Sequence, residues 1–421
     1  MKSELTTIVT RQKREWDEKR QRNYVPRVRF DGAQKLLPSS LIKVITGPRR
    51  AGKSVLAALL LKDQRSAYFN FDEISTSHID TEELVTIIGE VYGSFDYIFF
   101  DEIQNLDGWQ LFLNRLQREG HNLVVSGSNA NLLSGELATH LTGRYAKIEV
   151  FPFCFSEFLA AKDSKGGDGN VTEAAHQFLT LGGYPEIVLS KDFDSKDYLR
   201  TLVSAVVSKD IVTRHRLRKS SELSSVADWV FSNVAKEISF SRLVADGEGF
   251  GLPFSVQTVK KYLGFFEEAY LTKMVSRYDH SHRERIKSPK KIYAIDNGAA
   301  LAVGFRATPD NGRLLENLVY GELRKTGAFE EIRYYKTSQG DKEVDFVLRQ
   351  GHQTVELVQS AWEIVDAKTR KRELVGLVAA AKETHCEKAT IVTWLQETEV
   401  KIGPLTVRVV PFYKWARDLQ T

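Results

Sequence analysis

The chain has 421 residues, of which 42% are hydrophobic and 27% charged, with a formal net charge of +4. This is the composition of a soluble globular protein too long for one ordinary core, so two or three domains are expected. No apolar run approaches the roughly 18 residues of a membrane span. The charged N-terminus lacks a signal-peptide core, and the two cysteines, Cys154 and Cys386, are too few and too far apart for a disulfide framework or zinc site. A cytoplasmic protein with no membrane partner follows, and its weakly basic charge permits a nucleic-acid partner without arguing for one.

Residues 1–28 read as an N-terminal helical extension, and residues 29–160 as the first domain. "KVIT" is a strand, "GPRRAGKS" (47–54) a loop, and "VLAALLLK" a helix. A Gly-rich turn between a strand and a helix exposes successive N–H groups at the positive end of the helix dipole, which makes an anion cradle. The pattern G-x-x-x-x-G-K-[ST] adds a lysine for the β- and γ-phosphates and a hydroxyl for Mg²⁺. Gly47, Pro48, Arg49, Arg50, Ala51, Gly52, Lys53, Ser54 and Val55 are therefore the candidate nucleotide contacts.

"AYFNFD" reads as a second strand. "YIFFDE" is a fully apolar run of the kind found in central parallel strands, and it ends in Asp101 and Glu102. Open α/β sheets bind ligands at that end of the strand. Asp101 is the candidate metal holder beside Ser54, and Glu102 the candidate for activating water. "NLVVSGSNA" is the fourth strand. Ser128 or Asn129 at its end is a candidate sensor of the γ-phosphate, with ordinary turn residues an equal reading. "AKIEVF" is the fifth strand. Arg144 just before it is either a surface residue or a finger on the transition state, a device worth roughly 10³–10⁵ in rate. The set looks like the additional-strand, catalytic-glutamate class of P-loop ATPase, with the first strand expected between the third and fourth.

"GPRRAGKS", "FNFDE", "FDEIQNLDGW", "SGSNANLLS", "LTGRY", "PFCFSEF" and "GGYPE" occur in that order. Together they resemble the AAA-type ATPases of bacteria and archaea that carry a C-terminal domain of unknown function. The resemblance runs from about residue 20 to 400. It implies a cytoplasmic ATP-binding protein with a winged-helix segment and a restriction-endonuclease-like last domain, and it implies no particular process.

Residues 161–220 read as a helical lid or connection. Residues 221–287 have a helix-turn-helix rhythm closed by "LTKMVSRY" as a wing strand, with Ser255 as N-cap of the third helix. Winged helices that bind DNA place that helix in the major groove, so Lys260 and Lys261 are candidate contacts. "DHSHRERIKSPKK" adds Arg283, Arg285, Lys287, Lys290 and Lys291 as candidate phosphate ligands. A solvated wing loop and a protein-docking module are the competing readings.

Residues 288–421 form the last domain, opening with "KKIYAID". An acid-bearing helix with Glu316, followed by a strand with Asp345, resembles the PD-(D/E)XK nuclease fold. The second acid and its lysine should stand two residues apart on the next strand. The preferred register puts Gln359 and Ala361 there, and the other puts Glu356 and Val358, so neither supplies the lysine. The whole reads as an α/β protein. Its parts are a parallel-sheet ATPase core, a helical and winged-helix middle, and a nuclease-like domain whose Glu316, Asp345 and Gln359 are remnants. ATP and Mg²⁺ are the expected cofactors, with DNA or a protein as further partner, in a monomer or homo-oligomer. An ATP-gated nuclease and a slow nucleotide switch that scaffolds a protein partner are the alternatives.

Overall fold

The computed structural model describes residues 2–73, 79–128, 141, 143–162, 168–190, 194–217, 220–249, 255–305, 310–337, 339–340, 342–403 and 405–419. The chain divides into two compact units, Met1–Pro152 and Phe153–Thr421.

In the first unit, helices α1 (Lys2–Gln21) and α2 (Phe30–Leu36) precede β1 (Ile42–Thr46). α3 (Lys53–Leu60), β2 (Ser66–Asn70), α4 (Thr81–Tyr92), β3 (Tyr97–Asp101), α5 (Trp109–Arg118), β4 (Asn122–Gly127) and β5 (Tyr145–Glu149) follow. Among the described residues the strands form one five-stranded parallel sheet in the order β2-β3-β4-β1-β5. β1 and β3 are buried at every position, which is why their sequences run apolar without alternation.

The lateral order corrects the sequence reading. β1 does not lie between β3 and β4. Lys43 to Thr46 pair with Val124 to Gly127 of β4, and Ile42 to Thr46 pair with Tyr145 to Glu149 of β5. β4 is thus inserted between β1 and β3. A fully buried strand of either identity fills a central slot, so apolarity alone cannot order them.

α1 is part of this unit's core. Val9 and Trp16 are fully buried, and the Trp16 indole stacks on Tyr68 at 4.8 Å and donates to Ser66 Oγ at 3.0 Å. Gln12 caps the exposed edge of β2: its Nε2 donates to the Asn70 carbonyl at 3.1 Å, and its Oε1 accepts the Asn70 N–H at 2.9 Å. An edge strand needs such a partner for its unpaired backbone.

The second unit begins with α6 (Phe155–Ala161), α7 (Asp168–Leu181), α8 (Pro185–Leu189) and α9 (Ser195–Ala205), the last running on into a π-helical stretch, Val206–Thr213. α10 (Ser220–Ser232), β6 (Lys236–Ile238), α11 (Phe240–Gly249), α12 (Val256–Glu268), β7 (Thr272–Ser276), α13 (His282–Lys287) and β8 (Lys290–Ala294) follow. The three strands form an antiparallel sheet in the order β6-β8-β7. Ser255 caps α12, its Oγ accepting the Thr258 N–H at 3.0 Å. β8, read from sequence as opening the last domain, instead closes this middle sheet.

α14 (Asn297–Val303) and α15 (Asn311–Thr326) lead into β9 (Glu331–Lys336), β10 (Glu343–Gln350), β11 (Gln353–Ala361), α16 (Ala367–Thr384), β12 (Lys388–Thr393), β13 (Thr398–Ile402), β14 (Leu405–Pro411) and α17 (Phe412–Asp418). The strands make a mixed sheet in the order β13-β14-β12-β11-β10-β9, with β10 and β11 the antiparallel hairpin expected from sequence. Among the described residues no helix is long and apolar enough to cross a membrane.

Candidate functional site

The loop after β1 closes on α3 through left-handed backbone. Gly52, the residue before α3, has φ +96°, and Arg50 has φ 66°. At Gly47 a Cβ would lie 1.9 Å from the Val150 carbonyl oxygen, so no side chain fits. Lys53 Nζ bends back to the Gly47 and Pro48 carbonyls at 3.3 and 3.2 Å and stands 3.7 Å from Glu102 Oε1.

Asp101 closes β3 beside this loop. Ser54 Oγ donates to its Oδ2 at 2.6 Å, and Ser126 Oγ donates to its Oδ1. Burial, and then the Glu102 charge, push the Asp101 carboxyl above its ordinary range, although the two hydroxyls oppose the shift. Glu102 follows with φ 51° and ψ 46°, a left-handed conformation that costs a non-glycine residue about 1 kcal/mol or more. Among the bonds that hold the turn, Glu102 N donates to Ser126 Oγ at 3.1 Å, Asn105 N donates to the Glu102 carbonyl at 3.0 Å, and Gln104 Nε2 donates to Glu102 Oε2 at 2.5 Å. The β1 loop, the β3 terminus and β4 therefore meet through one set of contacts, and the β3-β4-β1 order is what brings them together.

Arg27 is a site residue that sequence reading missed. Its guanidinium donates to the Ala51 carbonyl at 3.0 Å and to the Phe151 carbonyl at 2.5 Å, tying the phosphate-type loop to the segment after β5. Nothing in "YVPR" marks this, because both acceptors are backbone atoms distant in sequence.

The remaining candidates separate. Ser128 Oγ, just past β4, is buried and without a hydrogen-bond partner among the described residues. Asn129 lies outside the described residues. Arg144 is corrected as a finger within its own chain. It precedes the N-terminal end of β5, its carbonyl accepts the Ile42 N–H at 2.9 Å, and its guanidinium donates to Asn114. That is the opposite end of the parallel strands from the loop, about 15 Å away along a five-residue strand.

In the second unit, β10 and β11 set Asp345 opposite Gln359, whose Oε1 accepts the Asp345 N–H at 3.0 Å. Glu356 is held elsewhere, by Thr390 and Lys388, so the Gln359 register is the one that faces Asp345. Lys291 is corrected as a phosphate ligand: it is 3% exposed and bonded to Glu316 and Asp345. Lys290 is half-buried, with Nζ on the Arg285 carbonyl. Lys260 and Lys261 lie over Phe240 and Phe265. Arg283 and Lys287 are exposed on α13, where sequence reading expected a loop. Alternation along "KKIYA" was the signal that could have found Lys291, because Lys291 and Tyr293 share one face of β8 and both bond Glu316.

Comparison with known proteins fits the first unit. Residues 39–159 match the model of an AAA domain, while 172–309 and 311–415 match two domains of unknown function. The uncharacterized protein MJ1544 of Methanocaldococcus jannaschii is 30% identical over 401 residues, 91% of this chain and 89% of that one. An uncharacterized Haemophilus influenzae protein is 32% identical over 77% of this chain and 84% of its own length. Among solved structures, the Walker-type ATPase PABY2304 of Pyrococcus abyssi is 16% identical and matches 66% of this chain and 96% of its own, with a TM-score of 0.47. The chain belongs to the family of the MJ1544 protein, AAA-type ATPases whose P-loop core is joined to C-terminal domains of unknown function.

Proposed function

We propose that the first unit binds ATP with Mg²⁺ on the 47–54 loop, hydrolyses it, and couples hydrolysis to a conformational change of the chain in the cytoplasm. The observation that carries this reading is the contact set joining loop and acidic strand end: Ser54 to Asp101 at 2.6 Å, Ser126 to both acidic residues, and Lys53 at 3.7 Å from Glu102. Ser54 and Asp101 are hard oxygen donors and are the residues that would hold Mg²⁺. Bound there, the ion neutralises charge on the phosphates. Lys53 exchanges the Gly47 and Pro48 carbonyls for phosphate oxygens. Glu102, held by Gln104, orients and polarises the attacking water. Ser128 Oγ, buried and without a partner among the described residues, suits a sensor of the γ-phosphate. The move of Lys53 toward phosphate also releases Glu102, which ties nucleotide state to the β3 turn. The second unit carries the response, with Arg283, Arg285 and Lys287 on α13 as the DNA contacts.

The test separates binding from turnover. Glu102→Gln keeps shape and removes the carboxylate, so fluorescent-nucleotide affinity should persist while phosphate release is largely lost. Lys53→Ala should weaken binding itself. A Glu102→Gln protein that turns over like the parent would show that another group activates water.

A further inference from the structure

Around Lys291 the second unit gathers a buried charge cluster. The Lys291 ammonium lies 2.8 Å from Glu316 Oε1, 2.8 Å from Asp345 Oδ1 and 2.6 Å from Glu343 Oε1. Tyr293 OH donates to the same Glu316 oxygen at 2.8 Å. Asp345 Oδ2 accepts both the N–H and the hydroxyl of Ser360, at 3.0 and 2.7 Å.

A nuclease-like reading of this domain implies a divalent ion among Glu316, Asp345 and the Gln359 position. The residues do not fit one. Asp345 Oδ1 is taken by the ammonium, its Oδ2 by Ser360, and the Gln359 oxygen by the Asp345 N–H. Among the described residues no three His, Cys, Asp or Glu side chains are placed to hold a metal. We propose that Lys291 is the built-in cation of this cluster, standing where a divalent metal would sit, so that the acids clasp β8 to α15 and β10 and support no metal-dependent cleavage of nucleic acid.

The charges agree with this. A buried carboxylate left without a cation is costly, and the Lys291 ammonium supplies that cation beside Asp345 and Glu316. Burial alone would lower the Lys291 pKa, but Asp345 and Glu316 outweigh it and hold the ammonium well above its ordinary value. Lys291 stands as hydrogen-bond donor to both carboxylates, at 2.8 Å each. Its three acceptors come from α15 and β10, whereas Lys291 belongs to the middle sheet. The clasp makes that sheet and the last sheet one mechanical piece, in keeping with the single compact unit Phe153–Thr421.

The experiment is a Mn²⁺ titration of the full chain without nucleotide, with bound ion counted by electron paramagnetic resonance. The parent should bind no ion that Asp345→Asn removes. Lys291→Gln removes the charge and should gain an ion, which the Lys291→Gln/Asp345→Asn double variant loses again. Lys291→Arg, which keeps the charge, should gain none. An ion on the parent that Asp345→Asn abolishes overturns the proposal, as does a folded Lys291→Gln that gains nothing. Should Lys291→Gln not fold, the parent and Asp345→Asn titrations decide. Duplex DNA cut by the parent in Mn²⁺ but not by Asp345→Asn would likewise overturn it. Hydrolysis of ATP is measured separately on the same proteins and bears only on the P-loop reading.

Discussion

Glu322 gives the second unit a stability that depends on pH near neutrality. It lies on α15, fully buried, with both carboxylate oxygens 3.1 Å from the Phe155 N–H. Burial lifts its pKa from the ordinary 4.5 to about 7, against the lowering pull of Lys325 and that N–H. The folded chain therefore keeps a proton between about pH 4.5 and 7 that the unfolded chain has lost. Stability is full below this window and falls as pH rises through it. A shift of 4.5 to about 7 corresponds to roughly 3 kcal/mol, at about 1.4 kcal/mol per unit. Glu322→Gln resembles the protonated acid and cannot ionise, so it should lack this decline. Between pH 5 and 8 about 2.5 kcal/mol of this is lost, so at about 2–4 °C per kcal/mol for a unit of this size the parent's melting midpoint should fall by some 5–10 °C more than the variant's. Glu316, also lifted to about 7 by burial and by Asp345, adds to the parent's decline with the same sign and remains in the variant. Melting curves followed by tryptophan fluorescence across pH 5–8 make the comparison. Parallel curves for parent and Glu322→Gln would refute the reasoning, because the buried carboxyl would then titrate alike in folded and unfolded chains.

Removing Arg27 tests the loop clamp. Arg27→Ala deletes two charge-assisted bonds to carbonyls at 3.0 and 2.5 Å, so a loss of about 2 kcal/mol in stability of the first unit is expected, together with weaker nucleotide binding. Denaturant melts and fluorescent-nucleotide titration measure the two, and unchanged affinity would limit Arg27 to a structural role. For DNA, Arg283, Arg285 and Lys287 are the phosphate candidates that Lys290 and Lys291 no longer join. Three contacts imply a log–log salt slope of about −2.7, at roughly −0.9 per phosphate. A slope near zero in filter-binding assays would remove DNA from the proposed function and leave a protein partner.

Much of the first unit could be read directly, because its signals are local. The loop pattern is set by a turn that needs glycine at Gly47 and Gly52 and a cation and hydroxyl at the next two positions. The strands "KVIT" and "YIFF" announce burial on both faces by lacking alternation. Ser255 is legible as a cap for the same reason, since its partner is three residues away. Arg144 misled because its place before a strand is local, while the end of the sheet it falls on depends on strand direction.

The sequence by itself determined the P-loop, the acidic strand end and the strand-turn-strand around Asp345, and it left the Gln359 and Glu356 registers open for the pairing to decide. Each of these rests on neighbours a few residues apart, whose spacing the chain carries in its covalent order. Only the tertiary structure decided that β4 stands between β1 and β3, that Arg27 holds the loop, that α1 belongs to the core, and that Lys291 serves Glu316 and Asp345 rather than phosphate. For Arg27 and Lys291 the deciding partners are backbone carbonyls and buried carboxylates 24 to 124 residues away in the chain. A lysine or arginine is spelled identically whether it meets water or a buried acid. Its environment exists only once the sheets have packed.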